Sequence, residues 1–245
     1  MDHSFLTIPA LEQQDHIVHA FTTRRDGLGA RINGVKQSDD WTRIARAFGI
    51  SPDRLVTVNQ VHGEAIALVN NRNYQDMRSV QADAVITDLP GTAIGVETAD
   101  CVPLLLFDPI TPAVGAVHAG WRSTVQKIVQ KSVQKMQNAF GSDPARMIAA
   151  IGPAIGPECY EVDEPVMGPI RRNFPFWQKI AIPRGNDKWG LDLAQLNRME
   201  LVEAGLAEQN IHSLGMCTSC RKDLFYSFRA EGRTGRMLSA IMVKP

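Results

Sequence analysis

The chain has 245 residues, of which 44% are hydrophobic and 21% are charged, a composition typical of a globular protein and not of a disordered one. Its 26 basic and 26 acidic residues cancel, so no overall charge attracts the chain to nucleic acid or to an anionic membrane surface. A chain of this length fits one large domain, and we expect a single domain over 1–245. Because the net charge is zero, any binding site for an anion must be formed by a local group of basic residues.

The start of the sequence, MDHSFLTIPALEQQ, lacks the basic and apolar regions of a secretory signal, and no long apolar run is present. We expect a cytoplasmic protein without a membrane partner. The four cysteines, at 101, 159, 217 and 220, are too few for a disulfide scaffold and would stay reduced in that compartment. Each is a candidate ligand, nucleophile or core residue.

Short apolar runs bounded by turn residues predict nine strands. They are expected at 55–61, 65–69, 84–87, 93–97, 103–107, 113–117, 147–151, 224–228 and 238–243. Helices are expected over 41–48, from Trp121 to Gly141, and from an N-cap at Asp192 to Gly205. Because strands mostly follow strands and no GxGxxG motif occurs, the pattern favours an α+β fold over a doubly wound parallel sheet.

Three residues with metal-binding side chains lie at or just beyond predicted strands: His62 in NQVHG, Cys101 in ETADCVPLLLF and His118 in VGAVHAGWRS. Two imidazoles and one thiolate suit Zn²⁺, and three protein ligands leave a fourth position open for water or substrate. The same residues also fit a Cys101 nucleophile activated by a histidine, or ordinary buried and hydrogen-bonded side chains. Copper is disfavoured because the chain has six histidines and no His-x-His pair.

Two basic segments are candidates for anion binding. Arg122 and Ser123 begin the helix predicted after Trp121, where free N–H groups favour an anion; the alternative is that Ser123 only caps this helix. FYSFRAEGRTGR places three arginines around two glycines, either as a second anion site or as a basic surface turn. These arginines are Arg229, Arg233 and Arg236.

The remaining cysteines carry a weaker signal. Cys217 and Cys220 form a lone CxxC in CTSC, without the second pair of ligands of a zinc finger. The residues that follow predict a strand, whereas a redox CxxC precedes a helix. We interpret this pair as structural and Cys159 as a packing residue.

Taken in order, FTTR, NQVHG, ADAVIT, TADCVPLLL, AVHAGWRS, AAIGPAIG with CYEV, LDL, CTSC and FYSFRAEGRTGR resemble the YfiH-type laccase-domain family. The resemblance extends over nearly the whole chain. It implies a four-layer α/β/β/α sandwich with mixed sheets, distantly similar to toxin domains that use a Cys-His pair. Family members are purine nucleoside phosphorylases, some of which also deaminate adenosine or cleave methylthioadenosine; the older name refers to polyphenol oxidation, and bacterial members are also linked to the editing of peptidoglycan precursors.

Carried over residue by residue, the family's zinc-binding and catalytic His, Cys and His correspond to His62, Cys101 and His118. Arg24 of FTTR, Arg122 and Arg229 match positions expected to bind phosphate or substrate. One segment departs from the family, whose Asn-Leu and His-Val-Gly-Asp stretches after FTTR are replaced here by RDGLGARINGVKQSDDW. Asn33 is the nearest counterpart in that segment, which contains no histidine.

The expected function is that of a zinc-dependent purine nucleoside phosphorylase, with inosine, adenosine or methylthioadenosine and phosphate as substrates and adenosine deamination as a side activity. A cysteine-dependent hydrolase or amidase acting on a peptidoglycan precursor is the alternative. A binding protein that has lost turnover through the altered segment is a third reading, and polyphenol oxidation is not expected. The sequence leaves the oligomeric state open.

Overall fold

The computed structural model describes residues 5–25 and 38–245. Their helices are α1 (Pro9–Glu12), α2 (Ser38–Ala47), α3 (Trp121–Val125), α4 (Ile128–Phe140), α5 (Glu164–Asn173), α6 (Leu193–Glu203) and α7 (Phe228–Glu231). Their strands are β1 (Ile17–Phe21), β2 (Leu55–Val56), β3 (Ile66–Leu68), β4 (Ala84–Thr87), β5 (Ala93–Thr98), β6 (Val102–Asp108), β7 (Ala113–Ala119), β8 (Ile148–Ile151), β9 (Glu161–Val162), β10 (Ala181–Gly185), β11 (Lys188–Leu191), β12 (Ile211–Ser213) and β13 (Met237–Val243).

The strands form two large sheets and one small one. The larger sheets have the orders β1-β13-β5-β2 and β12-β8-β6-β7-β4-β3, and the small sheet is β10-β11-β9. Most neighbouring strands are antiparallel, but β2 with β5, β3 with β4 and β12 with β8 pair in parallel. Both large sheets are therefore mixed, as predicted.

Alternation along β6 shows how the layers are built. Leu104 and Leu106 face helices α4 and α6, whereas Leu105 and Phe107 face the four-stranded sheet, because successive side chains of a strand point to opposite faces. On the outer face of the four-stranded sheet, α2 packs through Ile44 and its neighbours. The order is helix, sheet, sheet, helix, which confirms the four-layer α/β/β/α sandwich. No helix in the described ranges is long and apolar enough to cross a membrane.

The structure corrects three predicted elements. The helix after Trp121 is interrupted at Lys127, whose φ of 64° is left-handed, so α3 and α4 are separate. The strand predicted over 55–61 ends at Val56. The strand predicted over 224–228 is wrong: Ser227 caps α7 by accepting a hydrogen bond from the Ala230 N–H, and a chain that enters a helix at this point cannot continue as a strand.

Candidate metal and substrate site

The three predicted metal-binding side chains meet at one place. His62 lies in the loop after β2, Cys101 lies in the three-residue connection between β5 and β6, and His118 is the second-last residue of β7. The β6–β7 ladder pairs Pro103 with His118, which brings the connection that carries Cys101 next to the end of β7. One donor atom of each residue lies within 4.8 Å of the others, and the Cys101 Sγ is 3.9 Å from the His62 Nε2.

Asp83, just before β4, orients both histidines. Its fully buried carboxylate accepts backbone hydrogen bonds from Val61, His62 and Gly63 at 3.2, 2.9 and 2.7 Å, which fixes the loop of His62. The same carboxylate accepts from the Nδ1 of His118 at 2.8 Å. Since a carboxylate can only accept, the Nδ1 carries a proton. In the neutral ring, the Nε2 therefore keeps the lone pair that can bind a metal.

These contacts shift the protonation of the site. Burial alone would raise the pKa of the Cys101 thiol, but the positive charge of His118 and hydrogen bonds to both histidines lower it to about 6. Burial would likewise lower the pKa of His118, yet the Cys101 thiolate and the Asp83 carboxylate raise it to about 9. Without a metal, Cys101 and His118 therefore form a thiolate–imidazolium pair at neutral pH.

The backbone around the donors is strained and closely packed. His62 and Asp100 have φ values of 60° and 93°, a region that residues other than glycine seldom adopt. The Asp100 conformation is held by hydrogen bonds from the Thr218 hydroxyl and the Arg229 N–H, both at 2.6 Å. A Cβ at Gly120 would lie 3.0 Å from His62 and 3.2 Å from the Cys101 Sγ, so glycine keeps the space between the donors open.

The donor set fits a metal ion by its chemistry. Two imidazole nitrogens and one thiolate, with His118 oriented by a carboxylate, are typical of a zinc centre that keeps one position open. The donors lie on a cavity of about 690 Å³, which is the size of a small-molecule site. The residues present can therefore hold Zn²⁺ at the edge of a cavity that accepts a ligand.

Four arginines line the same cavity: Arg122, Arg229, Arg233 and Arg236. The Arg122 guanidinium stacks on Trp121, with 4.2 Å from its Cζ to the ring centroid. The Arg229 guanidinium lies 5.1 Å from the Tyr160 ring centroid and donates to the Glu161 carbonyl at 2.7 Å. Both basic segments predicted from the sequence thus reach one cavity.

Two details of the basic segments differ from expectation. Gly120, not Ser123, is the N-cap of α3, and the Ser123 hydroxyl is buried in the first turn, so the alternative in which Ser123 caps the helix is wrong. Because α3 is only one turn long, its dipole contributes little. Attraction of an anion to this cavity must come mainly from the arginine side chains.

Arg24 lies apart from this group. It is not among the residues that line the cavity, and its guanidinium donates to Glu231 at 3.1 Å and stacks on Tyr226. The role predicted for it in substrate binding stays a prediction. Asn33 lies outside the described residues.

Sequence reasoning missed Asp83, Asp100 and Tyr160. Asp83 is the one charge in ADAVIT, and a carboxylate directly beside an apolar run that predicts a buried strand is the signal that could have identified it. Tyr160 lines the cavity, and its pKa is raised by burial and by the negative charge of Cys101. Its hydroxyl therefore stays protonated and can donate a hydrogen bond to a ligand.

Comparison with known proteins places this geometry in a family. Over 238 residues the chain is 37% identical to a protein of Deinococcus radiodurans named purine nucleoside phosphorylase, covering 92% of this chain and 88% of that protein. It is 33% identical to adenosine deaminase RL5 of an unknown prokaryotic organism, covering 93% and 94%. The crystal structure of the hypothetical protein YfiH from Bacillus licheniformis superimposes with a TM-score of 0.91 at 32% identity, over 99% of this chain and 97% of that one.

The family description that matches is "multi-copper polyphenol oxidoreductase laccase", and the match runs over residues 18–244. It includes every donor and arginine described above. Together with the relatives and the superimposed structure, it confirms the resemblance drawn from the motifs: the chain belongs to the laccase-domain family that includes the YfiH and YlmD proteins.

Proposed function

We propose that this protein is a zinc-dependent purine nucleoside phosphorylase acting on inosine, adenosine or methylthioadenosine. The observation that carries the proposal is the meeting of the arginines with the His62, Cys101 and His118 donors on one cavity of about 690 Å³. A nucleoside and a phosphate ion fit such a volume together. The names of several relatives, purine nucleoside phosphorylase, point to the same reaction.

Phosphate is held by Arg122 and Arg229, whose planar guanidinium groups donate paired hydrogen bonds to phosphate oxygens. Each guanidinium stacks on an aromatic ring, Trp121 or Tyr160, which limits its motion. A phosphate oxygen forms a bond to C1′ of the ribose while the C1′–N9 bond breaks. The electron pair of that bond leaves with the purine, and the proton that the hydrogen phosphate ion loses ends on the departing base.

The purine lies against the aromatic side of the cavity. Trp121, Tyr160 and Phe228 line it, and Phe228 is 56% exposed, which leaves its ring free for stacking on a base. The protonated Tyr160 hydroxyl donates a hydrogen bond to a ring nitrogen or an exocyclic oxygen of the base. These contacts orient the glycosidic bond toward the phosphate between the two arginines.

Zinc would be held by the His118 Nε2, the Cys101 Sγ and an imidazole nitrogen of His62. When bound, it supplies a positive charge that stabilises the negative charge developing during the reaction. The lowered pKa of Cys101 makes its sulfur an anionic ligand at neutral pH, and Asp83 keeps the His118 ring in the binding tautomer.

The test is to incubate the purified protein with inosine and phosphate and to measure hypoxanthine and ribose 1-phosphate. Both products should form in equal amounts and neither without phosphate, since a hydrolase would release free ribose instead. Adenosine without phosphate tests for deamination to inosine separately. If no base is released at any zinc occupancy, the proposal is overturned.

The thiolate–imidazolium pair supports a second candidate, a cysteine-dependent amidase. Cys101, His118 and Asp83 have the order of a nucleophile, its acid–base partner and an orienting carboxylate. The Cys101 sulfur would attack an amide carbonyl, the C–N bond would break, and the leaving amine would take the proton of His118; water then releases the acid from the thioester. Mass spectrometry of metal-free protein with a peptidoglycan precursor decides this, because the amidase requires an acyl adduct on Cys101 and the phosphorylase forms none.

A further inference from the structure

The other three cysteines converge outside the cavity. Cys159 lies in the loop between β8 and β9, whereas Cys217 and Cys220 lie in the loop after β12. Their three sulfurs lie within 4.8 Å of one another, and the Cys159 and Cys220 sulfurs are 3.3 Å apart. Among the residues that the structure describes, no fourth His, Cys, Asp or Glu joins this group.

Backbone contacts hold the two loops in this arrangement. Ala154 and Cys217 form a parallel bridge, with hydrogen bonds from the Ala154 N–H to the Met216 carbonyl at 3.2 Å and from the Thr218 N–H to the Ala154 carbonyl at 3.0 Å. The Gly156 N–H donates to the Cys217 Sγ at 3.2 Å. Peptide N–H groups directed at cysteine sulfur are a common outer contact of thiolate ligands.

We propose that Cys159, Cys217 and Cys220 form a second metal site, which takes a thiophilic divalent ion such as Zn²⁺. Zinc–sulfur bonds of about 2.3 Å in a tetrahedron place sulfurs about 3.8 Å apart, so small shifts of these three side chains complete the site. Each thiol gives its proton to solvent as it binds. The fourth position goes to water, since Cys220 is exposed.

Three converging sulfurs favour a metal over a disulfide. A disulfide between Cys159 and Cys220 would use only two of the three sulfurs and leave Cys217 as a thiol that accepts a hydrogen bond from the Gly156 N–H. It would also require an oxidant. A metal ion uses all three sulfurs and needs no oxidant.

This second site is joined to the cavity by short stretches of chain. Cys159 precedes Tyr160, which lines the cavity. Thr218, next to Cys217, donates to the Asp100 carboxylate at 2.6 Å, and the Ile155 N–H donates to the Asp100 carbonyl at 2.9 Å. Since Asp100 immediately precedes Cys101, an ion at the thiol cluster holds both the wall of the cavity and the strained turn that positions Cys101.

Cobalt(II) titration of Cys101→Ala protein under reducing conditions tests the proposal, because this variant lacks the thiolate of the first site. The thiol cluster should bind one equivalent with sulfur-to-cobalt charge-transfer absorption and the intense visible bands of tetrahedral cobalt. Adding Cys159→Ser or Cys220→Ser should abolish the charge-transfer absorption while the far-ultraviolet circular dichroism stays unchanged. Absence of the absorption in Cys101→Ala, or its persistence in both double variants, overturns the proposal.

The unsubstituted protein gives an answer that does not depend on a variant's folding. With Zn²⁺ added, peptides that contain Cys159, Cys217 and Cys220 should lose their reactivity toward iodoacetamide, and a chelator should restore it. If all three cysteines are alkylated equally with and without zinc, the proposed site is overturned. A disulfide between Cys159 and Cys220 in protein isolated under reducing conditions would overturn it as well. Neither readout depends on phosphorolysis, so failure of the proposed reaction would leave this site standing.

Discussion

Asp83 and His118 are joined twice, once through their side chains and once through their backbones. The His118 Nδ1 donates to the Asp83 carboxylate at 2.8 Å, and the His118 N–H donates to the Asp83 carbonyl at 2.7 Å. The ring and the backbone of His118 are therefore fixed by one residue, which also holds the His62 loop. A carboxylate that is not itself one of the three candidate metal donors therefore controls where two of them lie.

Asp83→Asn should weaken zinc binding by about 10- to 100-fold, because the amide cannot accept all four of the hydrogen bonds that the carboxylate accepts. Zinc affinity is measured by competition with a chromophoric chelator. Asp108→Asn is the matched control: this buried carboxylate caps a turn at the opposite end of β6 by accepting from Ile110 and Thr111. It should lower the free energy of unfolding and leave zinc affinity unchanged; equal weakening by both variants would contradict the assignment of Asp83.

Gly120→Ala should also reduce zinc affinity, because the added methyl group would lie 3.0 Å from His62 and 3.2 Å from the Cys101 Sγ. Gly120 has φ −75°, so alanine causes no backbone strain and the effect is steric. Gly63→Ala serves as the control, since its nearest new contacts are at an ordinary 3.6 Å. Unchanged affinity in Gly120→Ala would mean that the donors are not held close enough to need this glycine.

Arg122→Ala should raise the KM for phosphate about tenfold or more and change the KM for inosine much less, since a hydrogen bond to a charged group contributes about 1.5–3 kcal/mol. Initial rates at varied phosphate give this value. Arg146→Ala, which removes an exposed arginine paired with Asp143 away from the cavity, should behave as the unsubstituted enzyme. An equal effect on both substrates would argue against a phosphate-binding role.

The free energy of unfolding should fall in mild acid because His19 is buried in its neutral form. Burial lowers the pKa of His19 from 6.5 to about 4, and its Nε2 accepts a hydrogen bond from the Ile8 N–H at 2.8 Å, which requires the neutral ring. Between these two pKa values the unfolded chain binds a proton that the folded chain excludes, so this contribution to stability is present above pH 6.5 and is lost as the pH falls toward 4. We expect a loss of about 2 kcal/mol between pH 7 and pH 5.

Urea unfolding at several pH values measures this loss. His19→Gln retains an acceptor for the Ile8 N–H but does not titrate, so its stability should depend less on pH by that amount. His16→Gln, at an exposed position, is the control and should keep the full dependence. The same slope in all three proteins would exclude His19 as its source.

The predicted elements that were correct are those with a strong local pattern. Strands β4 to β8 and β13 are apolar runs, and the N-cap of α6 is Asp192, whose carboxylate accepts from the Gln195 N–H, as the sequence indicated. The strands that were missed depend on distant or special contacts. β1 pairs along its whole length with β13 near the other end of the chain, and the β10–β11 hairpin turns through Asn186 and Asp187, both at positive φ.

The residues of the candidate site also fall into those that the sequence could identify and those that it could not. His62, Cys101 and His118 could be selected because each ends or follows an apolar run. The role of Asp83 could not be predicted, since it depends on hydrogen bonds from three backbone N–H groups of the His62 loop. The sequence predicted that this part of the chain was the end of a strand and its continuation. The convergence of Cys159 with the CxxC pair is also a product of tertiary structure, because the Ala154–Cys217 bridge creates it.

The placement of the three donors across two sheets has a consequence for folding kinetics. His62 follows a strand of the four-stranded sheet, His118 belongs to the six-stranded sheet, and Cys101 lies where the chain passes from one to the other. The donor set is complete only after the sheets have docked, so an ion cannot nucleate folding. A bound ion would stabilise the native state more than the transition state, slowing unfolding while leaving the folding rate nearly unchanged.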